Sequence, residues 1–143
     1  MRRPFLVLVA GASLAGCVSD AGGSIRFEGA LYRPLIGREL RTAIVGKILT
    51  FPEPQRGPIV IVSGGRCHIF RPRGEYTACG DRAPFIPGTY VLHRDRVCAT
   101  LLHSGHTSCW MLYAGGTGDY VLRTVSPDAS VPPERVRIEP WPR

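Results

Sequence analysis

Cysteine and histidine are the residues of this chain with the widest choice of chemistry. There are five cysteines and four histidines. Cys17 follows an apolar N-terminal run, whereas the other four form two closely spaced pairs, Cys67 with Cys79 and Cys98 with Cys109. A thiol can be acylated, oxidised to a disulfide or bound to a metal, and the outcome depends on the cellular compartment. The N-terminus therefore has to be interpreted first.

The N-terminus has the order of features found in a secretory signal. Arg2 and Arg3 precede an apolar stretch over residues 5–12, and small residues follow it. The apolar stretch is much shorter than the ~20 residues that a membrane-spanning helix needs. We therefore expect residues 1–16 to be an export signal peptide rather than a transmembrane anchor.

The segment Leu14-Ala15-Gly16-Cys17 resembles the lipobox of bacterial lipoproteins. The resemblance implies that the Cys17 thiol receives a diacylglyceryl group, that the signal is cut just before it, and that the new amino group is acylated. Two or more acyl chains attach a protein stably to a membrane. Val18 stands where inner-membrane lipoproteins often carry aspartate, which favours a periplasm-facing location on the outer membrane. An ordinary secretory signal and a cytosolic N-terminus are the alternatives.

The remaining four cysteines predict two disulfide bonds. An even number of cysteines in an exported chain is typical of a disulfide framework. Folding each closely spaced pair as a β-hairpin around its turn places Cys67 opposite Cys79 and Cys98 opposite Cys109. Directly opposed residues have Cβ atoms roughly 4.5–5.5 Å apart, close to the distance that a disulfide requires. We therefore predict the bonds Cys67–Cys79 and Cys98–Cys109.

A metal site is the competing hypothesis for these residues. His103, His106 and Cys109 lie within seven residues, with His93 and Cys98 near them in sequence. Zinc accepts such ligands. Their spacing matches no ligand signature, however, and the disulfide explains the cysteines better. We therefore predict neither a metal nor another cofactor.

One segment has the pattern of a short amphipathic helix. Ile36, Leu40, Ala43 and Ile44 share one face, and Gly46 provides a stop signal. We expect this helix, within residues 34–46, to cover the core of a sheet, with a membrane-surface helix as the alternative.

Most of the chain downstream is predicted to be β-structure. Glycines and prolines, of which the whole chain has seventeen and thirteen, divide it into short β-prone runs about 8–12 residues apart. Such spacing predicts a mainly β, antiparallel meander that is curled into a barrel or sandwich. The predicted domain covers residues 34–124, between a lipidated tether over 17–33 and a Pro-rich tail over 125–143 with one edge strand at 135–138. The predicted strands are 47–51, 59–62, 67–70, 76–79, 89–93, 97–102, 108–113 and 119–124.

The exported part is similar to small, uncharacterised β-domain proteins of proteobacteria. The similarity rests on a Gly-Thr-aromatic strand start followed by two cysteine-containing strands. It implies a small β-domain and carries no known activity. The matching residues are Pro87-Gly88-Thr89-Tyr90, Asp95-Arg96-Val97-Cys98, Cys109-Trp110 and Tyr120.

The charge pattern contains one candidate binding surface. The formal net charge is +7, and seventeen of the eighteen basic residues are arginine. Several arginines fall at predicted hairpin ends, where a cationic rim could contact anionic lipid headgroups, lipopolysaccharide or peptidoglycan. A solvated arginine-rich surface is the alternative, and nucleic acid is not expected outside the cytosol. The rim residues are Arg66, Arg71, Arg73, Arg94 and Arg96.

Catalytic motifs give no support for an enzyme. The sequence contains neither a Gly-x-Ser-x-Gly nucleophile elbow nor a phosphate-binding loop leading into a helix. We therefore predict a non-enzymatic binding or structural module, with an envelope protein, peptidoglycan or an anionic lipid as partner. Two alternatives stay open. One is a periplasmic inhibitor of a wall-degrading enzyme, although the Ser/Gly/Ala-rich loop of lysozyme inhibitors is not reproduced, and the other is a small envelope hydrolase.

Overall fold

The computed structural model describes residues 23–52, 67–79, 85–126 and 131–142. These ranges contain ten β-strands and one α-helix. The elements are β1 (Ile25–Phe27), β2 (Ala30–Pro34), α1 (Arg38–Ile44), β3 (Lys47–Thr50), β4 (Cys67–Phe70), β5 (Glu75–Cys79), β6 (Ile86–Leu92), β7 (Val97–Leu101), β8 (Thr107–Ala114), β9 (Tyr120–Thr124) and β10 (Glu134–Pro140).

Strands β3 to β10 form a closed antiparallel barrel. Each strand pairs with the next one along the chain, and β10 pairs back onto β3 through registers such as Ile138 with Leu49. Closure leaves none of these eight strands with a free edge. The prediction of a mainly β, barrel-like domain with one short helix is confirmed. The predicted strand 59–62 lies outside the described residues.

The barrel interior is filled by side chains rather than by a large cavity. Alternate residues of β6 point inward, so that Gly88 and Tyr90 are buried while Thr89 and Val91 are exposed. Eight strands give a barrel just wide enough for inward side chains to fill it. The largest of these side chains are Phe70, Tyr76, Tyr90, Trp110, Leu112 and Leu122.

Helix α1 closes part of one end of the barrel. Its residues Leu40 and Ile44 are 0% exposed and belong to the barrel core. The backbone N–H of Gly46 donates to the carbonyl of Phe70 at 2.7 Å, and that of Gly37 donates to the carbonyl of Arg94 at 2.7 Å. We call this the helix end of the barrel. It includes α1, the β4–β5 turn at residues 71–74 and the β6–β7 turn at residues 93–96.

The predicted tether 17–33 is too long, because its second half is folded. Strands β1 and β2 form a hairpin, and β2 pairs with the end of β8. Tyr32 is only 2% exposed and packs with Met111, Tyr113 and Val121 on the outer surface of the barrel. At the hairpin turn, Arg135 donates to Glu28 at 2.8 Å. Burial of this apolar face accounts for the folded hairpin.

The predicted C-terminal tail also contains structure that the sequence analysis underestimated. Strand β10 pairs with β9 on one side and with β3 on the other, so the prediction of an edge strand at 135–138 is wrong in its placement. Val136 and Ile138 point inward with a period of two and join the barrel core.

Helix α1 is shorter than the predicted 34–46, since Pro34 ends β2.

The close approach of β6 to its neighbours gives a first testable prediction. A Cβ at Gly88 would overlap the carbonyl oxygen of Thr100 and come within 3.0 Å of the Tyr76 ring. We expect Gly88→Ala to lower the free energy of unfolding by about 3 kcal/mol, since overpacking forces the backbone to move. Urea unfolding followed by tryptophan fluorescence measures this loss.

Gly116→Ala is the matched control for this substitution. A Cβ at Gly116 would meet no atom within 4 Å, so the change should alter the free energy of unfolding by less than about 0.5 kcal/mol. Equal unfolding midpoints for the two variants would contradict the described packing of β6.

Candidate functional site

Both predicted disulfides are present. Cys67 and Cys79 face each other across β4 and β5 with a Cα–Cα distance of 5.0 Å, and Cys98 and Cys109 do so across β7 and β8 at 4.0 Å. The second bond uses the Cys109 sulfur atom, which the zinc hypothesis assigned as a metal ligand. In the part of the chain that the structure describes, no three His, Cys, Asp or Glu side chains are grouped to hold a metal.

Four of the five predicted rim arginines lie at the helix end. Arg71 and Arg73 belong to the β4–β5 turn, and Arg94 and Arg96 belong to the β6–β7 turn. Both turns contact the chain around α1 through the backbone hydrogen bonds of Gly46 and Gly37. The fifth residue, Arg66, lies outside the described residues.

The four arginines differ in how firmly they are held. The Arg71 guanidinium donates to Thr77 at 2.6 Å and lies over the Trp141 ring at 5.8 Å. Arg96 donates to the Asp95 carboxylate at 3.0 and 3.1 Å, and this hydrogen bonding lowers the pKa of Asp95.

The other two arginines are free to meet a ligand. Arg73 and Arg94 are exposed, and neither forms an ion pair within the described ranges. Two of the predicted rim residues are therefore positioned by the fold, and two are available to bind an anion.

The fold adds four further cations that the sequence analysis did not assign to the rim. Arg33, Arg38, Arg41 and Lys47 lie on and beside α1. Together with the turn arginines they form what we call the basic end, where eight cations outnumber five acidic residues. Its cations are Arg33, Arg38, Arg41, Lys47, Arg71, Arg73, Arg94 and Arg96, and its acids are Glu39, Glu75, Asp95, Asp119 and Glu139.

The opposite end of the barrel has a different character. Its described residues, which are 51–52, 85, 101–107, 125–126 and 131–133, include no Arg, Lys, Asp or Glu. Phe85 and Leu102 are both exposed there. The described part of the barrel is therefore polarised, with its positive charge at the helix end.

A cleft of about 600 Å³ opens at the basic end between α1 and strands β8, β9, β10 and β3. We call it the basal cleft. Its floor is apolar, and four of the six residues on its rim are charged. The floor residues are Leu35, Ala43, Ala114, Tyr120 and Ile138, and the rim residues are Arg33, Arg38, Glu39, Thr42, Lys47 and Pro140.

A buried histidine lies in the barrel interior. His68 Nδ1 is 2.6 Å from the Tyr76 hydroxyl oxygen, and the Trp110 ring centroid is 4.5 Å from the imidazole. Burial lowers the pKa of His68 to about 4 and raises the pKa of Tyr76. The adjoining cavity measures about 50 Å³, enough for a water molecule and too small for an organic substrate. The pair therefore belongs to the packing of the core.

Comparison with known protein families, with curated proteins and with solved structures finds no match for this chain. Within the described ranges, no helix combines the length and the apolar character needed to cross a bilayer. Function has to be inferred from the residues and their geometry.

Proposed function

We propose that this protein is a cell-envelope lipoprotein that acts as a non-enzymatic binding module for an anionic component of the envelope. It is attached to the membrane, preferentially the outer membrane, through acylated Cys17 and faces the periplasm. The observation that carries the binding role is the concentration of eight cations at the helix end of the barrel. Two of these cations, Arg73 and Arg94, are exposed and unpaired within the described part of the chain.

The attachment is supported by the N-terminal sequence and by the distance to the fold. Leu14-Ala15-Gly16-Cys17 resembles a lipobox, and β1 begins at Ile25, eight residues after Cys17. Eight extended residues span at most roughly 29 Å, so an acylated Cys17 would keep the barrel near the membrane surface. Two disulfides also suit an oxidising compartment.

The basic end supports binding through long-range attraction. Clustered charge of one sign attracts anionic partners and increases their local concentration. Near an anionic membrane each Lys or Arg contributes about 1 kcal/mol, and the contribution falls off within a Debye length. Binding through this surface should therefore weaken as salt is raised.

Charge reversal tests this proposal. We expect Arg73→Glu combined with Arg94→Glu to lower affinity for phosphatidylglycerol-containing vesicles at least tenfold, because two attractive charges become repulsive. Sedimentation of the full chain carrying Cys17→Ala measures this binding without a contribution from its own acyl chains.

The matched control reverses two exposed arginines elsewhere. Arg137 lies on β10 opposite Thr50, away from the helix end, and Arg26 lies on β1 in the hairpin that packs on the outer surface of the barrel. Arg26→Glu with Arg137→Glu makes the same change in net charge and should weaken vesicle binding much less. Equal losses for the two double variants would contradict a localised site, as would equal binding of the parent to phosphatidylcholine vesicles.

A further inference from the structure

The basal cleft exposes part of the barrel core to solvent. Leu35 belongs to the core cluster, and Ala43, Tyr120 and Ile138 pack against it while keeping part of their surface accessible. Helix α1 fills the centre of the barrel end with Leu40 and Ile44 but leaves a gap along β8, β9 and β10. The floor of the cleft is therefore apolar surface continuous with the interior, where an apolar ligand would gain from burial.

The rim of the cleft carries an excess of positive charge. Arg33 and Glu39 form an ion pair at 2.8 Å. Arg38 and Lys47 have no ion-pair partner among the described residues. An anion entering the cleft would meet these two cations without having to break an existing ion pair.

An apolar floor under a cationic rim matches a ligand that combines both characters. A hydrophilic anion would leave the apolar floor of the cleft in contact with water. A neutral hydrocarbon would leave Arg38 and Lys47 without an anionic partner. The cleft volume of about 600 Å³ falls within the range of roughly 300–1,000 Å³ usual for ligand pockets. An acyl chain attached to a phosphate headgroup uses both parts of the cleft.

We infer that the basal cleft binds one acyl chain of an anionic lipid, with the headgroup phosphate at Arg38 and Lys47. This inference rests on the proposed function, since it names the ligand class that the basic end takes. The chain lies against Ala43, Tyr120 and Ile138, between α1 and the barrel.

Calorimetric titration with a monoacyl lipid tests the inference. The probes are lauroyl lysophosphatidylglycerol and its zwitterionic counterpart lauroyl lysophosphatidylcholine, both below their micellar concentrations. The protein is the full chain carrying Cys17→Ala. We expect one molecule of the anionic lipid to bind per chain, at least tenfold more tightly than the zwitterionic one. Equal affinities for the two lipids, or displacement of the lipid by equimolar inorganic phosphate, would overturn the inference.

Three substitutions distinguish lipid binding in the cleft from lipid binding elsewhere on the protein. Thr42 is exposed and lines the cleft, so Thr42→Trp should fill it and abolish binding of both lipids. Arg38→Glu should weaken lysophosphatidylglycerol binding at least tenfold. Arg137 is exposed on β10, outside the basic end, and does not line the cleft, so Arg137→Glu should change the affinity less than threefold. Parent-like titration of Thr42→Trp, or equal effects of the two charge reversals, would contradict the assignment.

Failure of the inference and failure of the proposed function give different results. Arg73→Glu with Arg94→Glu can weaken vesicle binding while Thr42→Trp has no effect on lipid titration. That result supports anion binding at the basic end and contradicts acyl-chain binding in the cleft. If the cleft binds the anionic lipid while Cys17 is never acylated in cells, the result supports lipid binding in the cleft and contradicts membrane attachment through Cys17.

Discussion

Lowering the pH from 7 to 4 is expected to reduce the free energy of unfolding by roughly 3 kcal/mol through one side chain, His68. Burial among the aromatic rings of the barrel lowers the pKa of its imidazole from 6.5 to about 4. A pKa difference of one unit between the folded and unfolded states corresponds to about 1.36 kcal/mol. The effect is large compared with the roughly 5–15 kcal/mol that usually stabilises a domain.

The direction of this effect follows from proton binding. In the unfolded chain His68 takes up a proton near pH 6.5, whereas in the folded barrel it does so only near pH 4. Between these values the unfolded state binds more protons, so stability falls as the pH falls. The contribution of neutral His68 is fully present above pH 6.5 and is lost by about pH 4.

Urea unfolding at pH 7 and at pH 4 measures the contribution of His68. Glutamine does not titrate and can still hydrogen-bond the Tyr76 hydroxyl, which lies 2.6 Å from His68. We therefore expect His68→Gln to reduce the difference between the two pH values by roughly 3 kcal/mol. His103→Gln, in the exposed β7–β8 turn, is the control and should behave like the parent. An unchanged pH difference in His68→Gln would show that the histidine is not buried as described.

The parts of the fold that the sequence predicted are those determined by local signals. The Pro- and Gly-containing turn after Phe70 fixes the register of β4 with β5, and hence the pairing of Cys67 with Cys79. Short turns between successive β-prone runs likewise indicate an antiparallel meander. Its alternate turns lie at the same end, so the proximity of Arg71 and Arg94 follows from the same pattern.

The parts that were missed depend on contacts between distant segments. Strand β10 pairs with β3, some ninety residues earlier in the chain, and the prolines around Val136 and Ile138 hide their alternation. Strands β1 and β2 have only three and five residues and are held by packing on the outside of the barrel. Neither pairing leaves a periodic pattern long enough to recognise.

The basal cleft was missed for the same reason. Its lining combines Lys47 from β3, Ile138 from β10 and Arg38 from α1, which meet only when the barrel closes. The sequence did indicate the amphipathic helix, but not the gap that the helix leaves at the barrel end. A cavity that depends on barrel closure is not visible in local sequence patterns.

The second large effect is expected at the N-terminus. We predict that Cys17→Ala removes the protein from the outer-membrane fraction of cells, because the acyl chains are lost and residues 1–16, whose removal follows acylation, are retained. Each buried methylene of an acyl chain contributes about 0.8 kcal/mol to membrane attachment, far more in total than surface charge can supply. Fractionation of cells followed by immunoblotting measures the distribution. Ser19→Ala, two residues beyond the acylation site, is the control and should stay with the membrane.

Metabolic labelling with radioactive palmitate tests the membrane attachment most directly. The label should enter the parent chain and Ser19→Ala, and it should be absent from Cys17→Ala. Palmitate recovered equally in Cys17→Ala, or an unlabelled parent chain that still carries its first sixteen residues, would contradict an acylated Cys17 and the envelope location built on it.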